Sequence, residues 1–299
     1  MSKVYDGIIG LVVGDALGVP FEFRDRDVFK ATDMIGYGTY GQPPGTWSDD
    51  SSMTIATLKA LDCGWVHLAT IMKNFIAWLY SAKFTPWGVT FDVGGTTRAA
   101  IARYKEGRAC LLDCGGKGRM DNGNGALMRI LPMAFLPVLT EQDIDGVSGL
   151  THNHEISKAG CRYYVEIARR IIRGGCLADI VEETEWSGEY TRLQRLSFRS
   201  IQHMITRDEI NSTGYVVDTL EAALFCLLHT PDYRDAVLMA VNLGGDTDTI
   251  AAVTGGLAGL MYGVGGDKGV PMEWIKQIPR RAYIKRLCTN FERVFNLES

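Results

Sequence analysis

Two short segments of the sequence place closely spaced acids and a hydroxyl side chain directly before predicted helices. The residues concerned are Ser48, Asp49, Asp50, Asp246, Asp248 and Thr249. Helix capping explains each segment taken alone, since Asp and Ser are preferred N-cap residues and acids stabilise the positive end of a helix. However, residues 31–58 contain no Lys or Arg, and residues 235–267 contain no Lys, Arg or His. Buried carboxylates without local counter-charge must shift their pKa values or bind cations.

The chemistry of these side chains indicates which cations would bind. Carboxylate and hydroxyl oxygens are hard ligands, and neither segment contains a His or a Cys. Such a set suits Mg²⁺ or Mn²⁺ and argues against Zn²⁺ or Cu²⁺. Two divalent cations would balance the carboxylates, and the adjacent Asp49 and Asp50 could each face a different ion. The two segments together therefore predict a site for two divalent cations, with capping as the alternative.

Two further acids, Glu22 and Asp92, lie close to glycines. Glycines at positions 10, 14 and 18 leave one face of a helix nearly bare, which predicts close contact with another helix. That contact explains the glycines but not the acids Asp15 and Glu22. Asp92 precedes a glycine pair and a helix, where capping is at least as good an explanation as catalysis.

Polar and glycine residues elsewhere suggest a binding site for an anion. In Gly123-Asn124-Gly125, flexible glycines would let backbone N–H groups converge before a helix, although a plain loop is the alternative. His152 and His154 are two residues apart, and no further ligands follow at the spacing of a zinc site. A structural histidine, or a hydrogen bond from His152 to a ligand, is therefore the better interpretation.

Helical periodicity dominates the rest of the chain, so helices must position these residues. Apolar residues recur at three- and four-residue spacings in Ser52–Leu61, Leu68–Ala82, Thr97–Glu106, Asn124–Phe135, Ser157–Arg173, Gly214–Leu228, Asp232–Val241 and Thr247–Met261. Clusters of Gly and Pro at 36–45, 115–125 and 263–269 predict loops. We therefore predict an all-α fold, with one many-helix domain over residues 1–299 and the metal site in a central cleft.

The composition excludes several classes of partner. The formal net charge is 31 − 35 = −4, and no polybasic run indicates binding to nucleic acid or an anionic membrane. The N-terminal apolar stretch lacks a basic region and runs into Asp15, unlike a signal peptide. Thr249–Gly266 is uncharged and long enough to span a membrane, but its glycines favour a tightly packed internal helix. We expect no membrane partner.

The cysteines and their spacing bear on the cellular compartment. The seven Cys residues are odd in number and scattered, and Cys110 and Cys114 lack a second pair at the spacing of a zinc site. Buried, reduced thiols are therefore the expected state. We expect a cytoplasmic protein and a monomer.

The motifs together, in their order along the chain, resemble those of the ADP-ribosylglycohydrolase family. This is the family of dinitrogenase reductase-activating glycohydrolase and the ADP-ribosylarginine hydrolases. The matching segments are Gly14-Asp-Ala-Leu-Gly18 with Glu22, Trp47-Ser-Asp-Asp50, Asp92 with its glycines, Gly123-Asn-Gly-Ala-Leu-Met-Arg129, Thr151-His152 and Gly244-Gly-Asp-Thr-Asp-Thr249. The resemblance implies an all-α fold and a dinuclear Mg²⁺ or Mn²⁺ centre that holds the distal ribose of ADP-ribose.

The resemblance also implies roles for individual residues. The implied metal ligands are Ser48, Asp49, Asp50, Asp246, Asp248 and Thr249. Glu22 and Asp92 match acids beside the scissile bond. Residues 123–125 (Gly123, Asn124 and Gly125) match a loop that faces the pyrophosphate, and His152 matches a residue lining the ADP-ribose cleft. Ser48 stands where the family often has Thr, which keeps the hydroxyl, and Ala126 stands where some members have Ser.

The function implied is hydrolysis of the C1″ N-glycosidic bond that links ADP-ribose to an arginine side chain of a protein, with ADP-ribose as product. Cleavage builds positive charge on the ribose. A carboxylate must also transfer protons at the leaving group and at the attacking water, and Asp92 is the first candidate for this role and Glu22 the second. The alternatives are hydrolysis of O-linked ADP-ribose, on serine or another group, and binding of ADP-ribose without catalysis. A phosphatase is a remote alternative, because Asp246-Thr-Asp248 superficially resembles the nucleophile motif of haloacid dehalogenase-type enzymes but precedes a helix.

Overall fold

The computed structural model describes residues 2–197 and 205–297, and in this part of the chain the regular elements are helices. The α-helices are α1 Lys3–Gly18, α2 Asp49–Ala60, α3 Leu68–Ser81, α4 Gly95–Lys105, α5 Glu141–Gly149, α6 Glu155–Ile172, α7 Leu177–Glu183, α8 Val216–Leu228, α9 Tyr233–Val241, α10 Thr247–Tyr262, α11 Met272–Gln277 and α12 Arg281–Phe295. Isolated bridges such as that between Gly123 and Tyr215 take the place of strands in the described residues. The predicted all-α class is confirmed.

One predicted helix is wrong. The segment Asn124–Phe135 forms two short 3₁₀ turns, Leu127–Arg129 and Leu131–Phe135, instead of a continuous α-helix. Pro132 has no N–H to donate to the carbonyl of Met128, and its ring would clash there. The Met128 carbonyl accepts a hydrogen bond from Thr54 Oγ1 instead (3.1 Å). The apolar spacing of this segment therefore reflects burial, not an α-helix.

Helices α1 and α10 pack side by side along their length and are almost entirely buried. Their backbones approach more closely than side chains would allow. A Cβ atom at Gly10 would lie 2.4 Å from the Gly255 carbonyl oxygen, and one at Gly14 would lie 2.1 Å from the Ala251 carbonyl oxygen. The predicted contact along this glycine face is therefore with α10, and the predicted internal helix is the one that receives it.

The apolar character of α1 has the same origin. By length and hydropathy, Lys3–Phe21 could cross a membrane, and 94% of its most apolar window is buried inside the protein. A helix in the core of a folded domain is apolar on every face when other elements surround it on all sides. The Tyr233 hydroxyl on α9 also donates a hydrogen bond to the Gly10 carbonyl in this helix (2.6 Å).

The contact between α1 and α10 continues to the end of α1 and sets the position of the candidate acids. A Cβ atom at Gly18 would lie 2.3 Å from Cα of Asp248, and Thr247 Oγ1 donates to the Gly18 carbonyl (2.8 Å). The start of α10 therefore lies directly against the end of α1. The start of α2 is held to the same helix, because the Ser48 N–H donates to Asp15 Oδ1 (2.9 Å).

We predict that Gly14→Ala lowers the stability of the folded protein by about 3 kcal/mol, the upper end of the usual cost of overpacking. The added methyl group would meet backbone of Ala251, which cannot move aside as a flexible side chain would. Gly95→Ala is the matched control, since a Cβ atom there meets nothing within 4 Å. Thermal unfolding followed by circular dichroism measures both, and equal melting temperatures for the two variants would contradict the prediction.

Candidate active site

The predicted site residues meet around one cavity of about 260 Å³. Its lining includes Glu22, Asp49, Asp92, Gly123, Asn124, Gly125, His152, Asp246 and Thr249. The other predicted ligands, Ser48, Asp50 and Asp248, are buried, and each is next in sequence to a residue that lines the cavity. The structure thus brings together the residues predicted as ligands, catalytic acids and binding loop, from segments far apart in the chain.

Overlapping groups of acids lie beneath and beside the cavity. In each group, one carboxylate oxygen per residue lies within 4.8 Å of the others. The groups are Asp15 with Asp50 and Asp248, Glu22 with Asp92 and Asp248, and Asp49 with Asp50 and Asp92. Since oxygens at this spacing can share a cation, these acidic clusters could hold metal ions.

Several carboxylate oxygens in the cluster have no partner. Asp50 Oδ1, Asp248 Oδ2 and Glu22 Oε2 are buried and form no hydrogen bond in the described structure. The ion pairs between residues of the described ranges include none of these acids. A buried, unpaired carboxylate is costly, and a divalent cation would satisfy several of them at once. The donor set, made of oxygen atoms, therefore fits Mg²⁺ or Mn²⁺.

Burial and mutual repulsion shift the acids toward their protonated forms. Burial, followed by the negative charge of Asp92, raises the pKa of Asp49 well above its usual range. Burial also raises the pKa of Asp50 and of Asp248 well above that range, and neighbouring acids add to the effect. For Asp15, burial raises the pKa to about 7, although hydrogen bonds from Ser51 and Ser48 oppose the shift.

The first acidic segment both caps a helix and joins the cluster. Ser48 is the N-cap of α2, and its Oγ accepts a hydrogen bond from the Asp50 N–H (3.3 Å). The same hydroxyl donates to Asp50 Oδ2 (2.9 Å). Asp15, an acid left unexplained in the sequence, accepts from the N–H groups of Ser48 and Ser51 and so fixes this helix start. Capping and a place in the cluster are therefore compatible.

The second segment does not behave as a cap. Asp246 is the N-cap residue of α10, but its side chain makes no capping hydrogen bond. Asp246 Oδ2 instead accepts from Asn124 Nδ2 (2.7 Å). Thr249 Oγ1 donates to Asp50 Oδ2 (3.4 Å), so the two acidic segments touch directly. For Asp246, the structure therefore removes the capping alternative.

Asp92 does not cap a helix either. The N-cap of α4 is Gly94, and no side chain caps that helix end. Asp92 has a left-handed backbone (φ 52°), which is uncommon for a residue other than glycine, and its Oδ1 accepts from the Tyr40 hydroxyl (2.8 Å). Glu22 is buried beside it, and burial, followed by the charge of Asp92, raises the pKa of Glu22 to about 9.

The predicted anion loop is built on a buried arginine. The Arg129 side chain is fully buried over the ring of Phe75 and donates hydrogen bonds to the carbonyls of Gly125 and Val147. A Cβ atom at Gly125 would lie 2.8 Å from His152 Cε1, so glycine lets the histidine pack against this loop. One backbone N–H of the loop is not available to an anion, because the Asn124 N–H donates to the Gly214 carbonyl (2.9 Å).

His152 faces the cavity as a neutral imidazole. Burial, with the nearby Arg129 charge as a second cause, lowers the pKa of His152 to about 3. Its Nδ1 is hydrogen-bonded to Thr151 Oγ1 (2.8 Å), and its Nε2 lies on the side of Gly123. A neutral ring held in this way can donate or accept one hydrogen bond in the cleft.

The structure adds residues that the sequence did not single out. Phe23, Thr97, Met128 and Gly214 line the cavity, and Tyr40 contacts Asp92. Gly214 could not be found because it is far from any motif and reaches the site through the bridge between Gly123 and Tyr215. The missed residues lie in turns and loops, or at the start of a helix, where periodicity carries no signal.

Comparison with known proteins identifies the family of this chain. A model of the ADP-ribosylglycohydrolase family matches residues 1–299. ADP-ribosylarginine hydrolase Tri1 of Serratia proteamaculans is 30% identical over 303 residues, which cover 96% of this chain and 78% of that protein. ADP-ribosyl-dinitrogen reductase glycohydrolase of Rhodospirillum rubrum is 31% identical over 288 residues, which cover 93% of this chain and 90% of that protein.

The fold gives the same result as the sequence comparison. A solved structure described as an ADP-ribosylglycohydrolase-related protein complex superimposes with a TM-score of 0.80, at 26% identity, over 98% of each chain. The match therefore includes the helices that carry the acids as well as those that surround them. The chain belongs to the ADP-ribosylglycohydrolase family, and it is a glycosidase of the kind that removes ADP-ribose.

Proposed function

We propose that this protein is a metal-dependent hydrolase that removes ADP-ribose from arginine side chains by cleaving the C1″ N-glycosidic bond. The observation that carries the proposal is the cluster of buried, unpartnered carboxylate oxygens at the starts of α2 and α10. The similarity to a protein named for hydrolysis of ADP-ribosylarginine, over 96% of this chain, supports arginine as the acceptor. An ADP-ribosylated protein is then the substrate, and ADP-ribose is the product.

The cofactor that we propose is a pair of divalent cations, Mg²⁺ or Mn²⁺. The residues that would hold them are Ser48, Asp49, Asp50, Asp246, Asp248 and Thr249. Asp15 supports this set from behind, because it fixes the backbone at Ser48 through hydrogen bonds. When bound, such cations neutralise the acids, orient the ribose hydroxyls and lower the pKa of a water molecule.

The proton transfers fall to Asp92 and Glu22, which lie within 4.8 Å of each other at the cavity wall. Water attacks C1″ while the bond from C1″ to the arginine nitrogen breaks. Asp92 accepts the proton that the water loses, and Glu22, protonated at neutral pH because of its raised pKa, donates one to the departing nitrogen. The negative charge of Asp92 also stabilises the positive charge that develops on the ribose.

Binding of the rest of ADP-ribose falls to the glycine loop and the histidine that line the same cavity. Residues 123–125 and His152 would face the pyrophosphate, as the resemblance to the family implies. The buried guanidinium of Arg129 lies behind this loop and is not paired with a carboxylate in the described structure. Its positive charge therefore favours a dianionic ligand at the loop.

Peptides that carry ADP-ribose on arginine or on serine test the proposed reaction. We expect free ADP-ribose to be released from the arginine-linked peptide when Mg²⁺ or Mn²⁺ is present. Release should stop after exhaustive chelation with EDTA and return when either ion is added back. Liquid chromatography with mass detection measures the product and identifies the bond that was cut.

Each of the other results of this assay would contradict a different part of the proposal. Faster release from serine would identify an O-linked hydrolase, and full turnover in EDTA would exclude a metal-dependent one. Binding of ADP-ribose without release from either peptide would indicate a binding protein. Release of inorganic phosphate instead of ADP-ribose would indicate a phosphatase.

The role of Asp92 is tested by Asp92→Asn. Loss of a proton carrier should lower kcat by roughly 10²–10⁴-fold, while the affinity for ADP-ribose stays nearly unchanged. Stability should be retained, because Asp92 caps no helix. Single-turnover kinetics and calorimetric titration with ADP-ribose measure the two effects. Asp267→Asn, which changes an exposed acid in the turn after α10, is the control. Wild-type turnover in Asp92→Asn would transfer the role to Glu22.

The raised pKa values predict how pH changes stability. In metal-free protein, the folded state holds protons on Asp15 and Glu22 that the unfolded chain has lost above about pH 4–5. Stability should therefore fall as pH rises toward 7 for Asp15 and toward 9 for Glu22. Divalent cations compete with protons for the carboxylates proposed to bind them, such as Asp50 and Asp248, whose pKa values burial also raises. The rise in Tm that Mn²⁺ causes should therefore grow from pH 5.5 to pH 8.

Thermal melts in EDTA and in millimolar Mn²⁺, at several pH values, measure this dependence. Asp248→Asn removes one buried charge of the cluster and should both reduce the loss of stability at high pH and abolish most of the shift caused by Mn²⁺. Asp235→Asn, on the exposed face of α9, is the control. A shift caused by Mn²⁺ that is equal at pH 5.5 and pH 8 would show that the cluster does not exchange protons for metal.

A further inference from the structure

Residues 36–45 form a loop in which two adjacent residues, Thr39 and Tyr40, contact the two candidate acids. The Thr39 Oγ1 donates a hydrogen bond to the backbone carbonyl of Glu22 (2.7 Å). The Tyr40 hydroxyl donates to Asp92 Oδ1 (2.8 Å). One short segment therefore fixes the backbone next to one acid and the carboxylate of the other.

The loop is itself held firmly against the end of α1. The Thr39 N–H donates to the Pro20 carbonyl (3.1 Å), and a Cβ atom at Gly38 would lie 1.9 Å from that same oxygen. The ring of Tyr40 packs against Phe91, the residue before Asp92, with ring centroids 5.0 Å apart. The position of the Tyr40 hydroxyl is thus defined by the anchored loop backbone and by the contact of the ring with Phe91.

Asp92 needs such support more than the other acids do. It lies outside any helix, has a left-handed backbone and is followed by two glycines after Val93. Apart from the neighbouring carboxyl of Glu22, the Tyr40 hydroxyl is the side-chain group that the described residues place in hydrogen-bond contact with Asp92. Without that bond, the carboxylate could rotate about its χ angles toward the open cavity.

The direction of the hydrogen bond also matters. Burial, followed by hydrogen bonding to Glu22 and the charge of Asp92, raises the pKa of Tyr40, so the phenol keeps its proton at neutral pH. In the bond between them, Tyr40 is the donor and Asp92 Oδ1 the acceptor. A donor to one carboxylate oxygen stabilises the ionised form and leaves the other oxygen available to take a proton.

We propose that Tyr40 is a positioning residue for the reaction: its hydroxyl holds the Asp92 carboxylate in the orientation that accepts a proton at the scissile bond. The inference rests on the proposed function, in which Asp92 carries that proton. The Tyr40 ring transmits the position of the loop, and hence of the end of α1, to Asp92. A structural alternative is that Tyr40 merely packs on Phe91 and closes the loop.

Tyr40→Phe separates these two roles, because it removes the hydroxyl and keeps the ring contact. With an ADP-ribosylarginine peptide and saturating Mn²⁺, kcat should fall about 10- to 100-fold, the effect expected for a lost hydrogen bond to a charged group. KM, the affinity for ADP-ribose and Tm should stay close to wild type. Tyr37→Phe is the matched control, since Tyr37 belongs to the same loop and is 72% exposed.

A double-mutant cycle shows whether Tyr40 acts through Asp92. If it does, Tyr40→Phe has nothing left to position once Asp92 is Asn, and the double variant should be no slower than Asp92→Asn alone. A purely structural contribution would instead multiply with the loss caused by Asp92→Asn. The single variant Asp92→Asn reports separately on the proposed function, since wild-type turnover there would refute the role of Asp92 itself.

Several outcomes would overturn the inference. One is a wild-type kcat for Tyr40→Phe while Asp92→Asn is inactive. Others are a rise in KM without a change in kcat, multiplying losses in the double variant, or an equal loss in Tyr37→Phe. A reduced kcat that vanishes in the Asp92→Asn background, with Tyr37→Phe unaffected, supports it.

Discussion

The contact between the backbones of α1 and α10 is the constraint on which the rest of the structure depends. Three glycines on α1, spaced about one turn apart (Gly10, Gly14 and Gly18), let the backbones of the two helices come into direct contact. The last of them, Gly18, lies against the backbone of Asp248. The start of α10, with its acids, is therefore fixed relative to the end of α1, where Glu22 and the loop of residues 36–45 follow. Asp15 on the same helix fixes the start of α2. A single helix thus sets the position of three acidic segments.

This arrangement concentrates negative charge where the protein offers little to oppose it. The starts of α2 and α10 bring the positive ends of two helices toward the acids, which offsets part of their repulsion. The remaining cost is met by burial of apolar residues around α1 and α10. Unsatisfied acids in so well packed a core are a strain that a folded protein tolerates where ligands bind. The acidic clusters could therefore hold cations, which would offset the remaining repulsion.

The sequence allowed much of this to be predicted, and its failures have physical causes. Amphipathic or apolar periodicity located helices such as α6 and α10, and the spacing of acids before helices located α2 and the start of α10. The segment Asn124–Phe135 has the same apolar spacing but contains Pro132, whose effect on the preceding carbonyl outweighs periodicity. Tyr40 was missed because its role depends on the path of a loop. Asp15 was noted as an unexplained acid, but its role could not be assigned because a buried acid that binds backbone N–H groups has no sequence signature of its own.

The cluster also explains why capping and ligand roles could not be separated from sequence. Ser48 caps α2 and also belongs to the acidic cluster, since its hydroxyl accepts from a backbone N–H and donates to Asp50. Asp246 occupies an N-cap position but turns its carboxylate to Asn124 instead. The distinction therefore lies in the side-chain rotamer, which tertiary contacts decide. Because the acids come from segments about 200 residues apart, the cluster exists in the folded state alone, and a cation that binds it stabilises the same α1–α10 contact that creates the site.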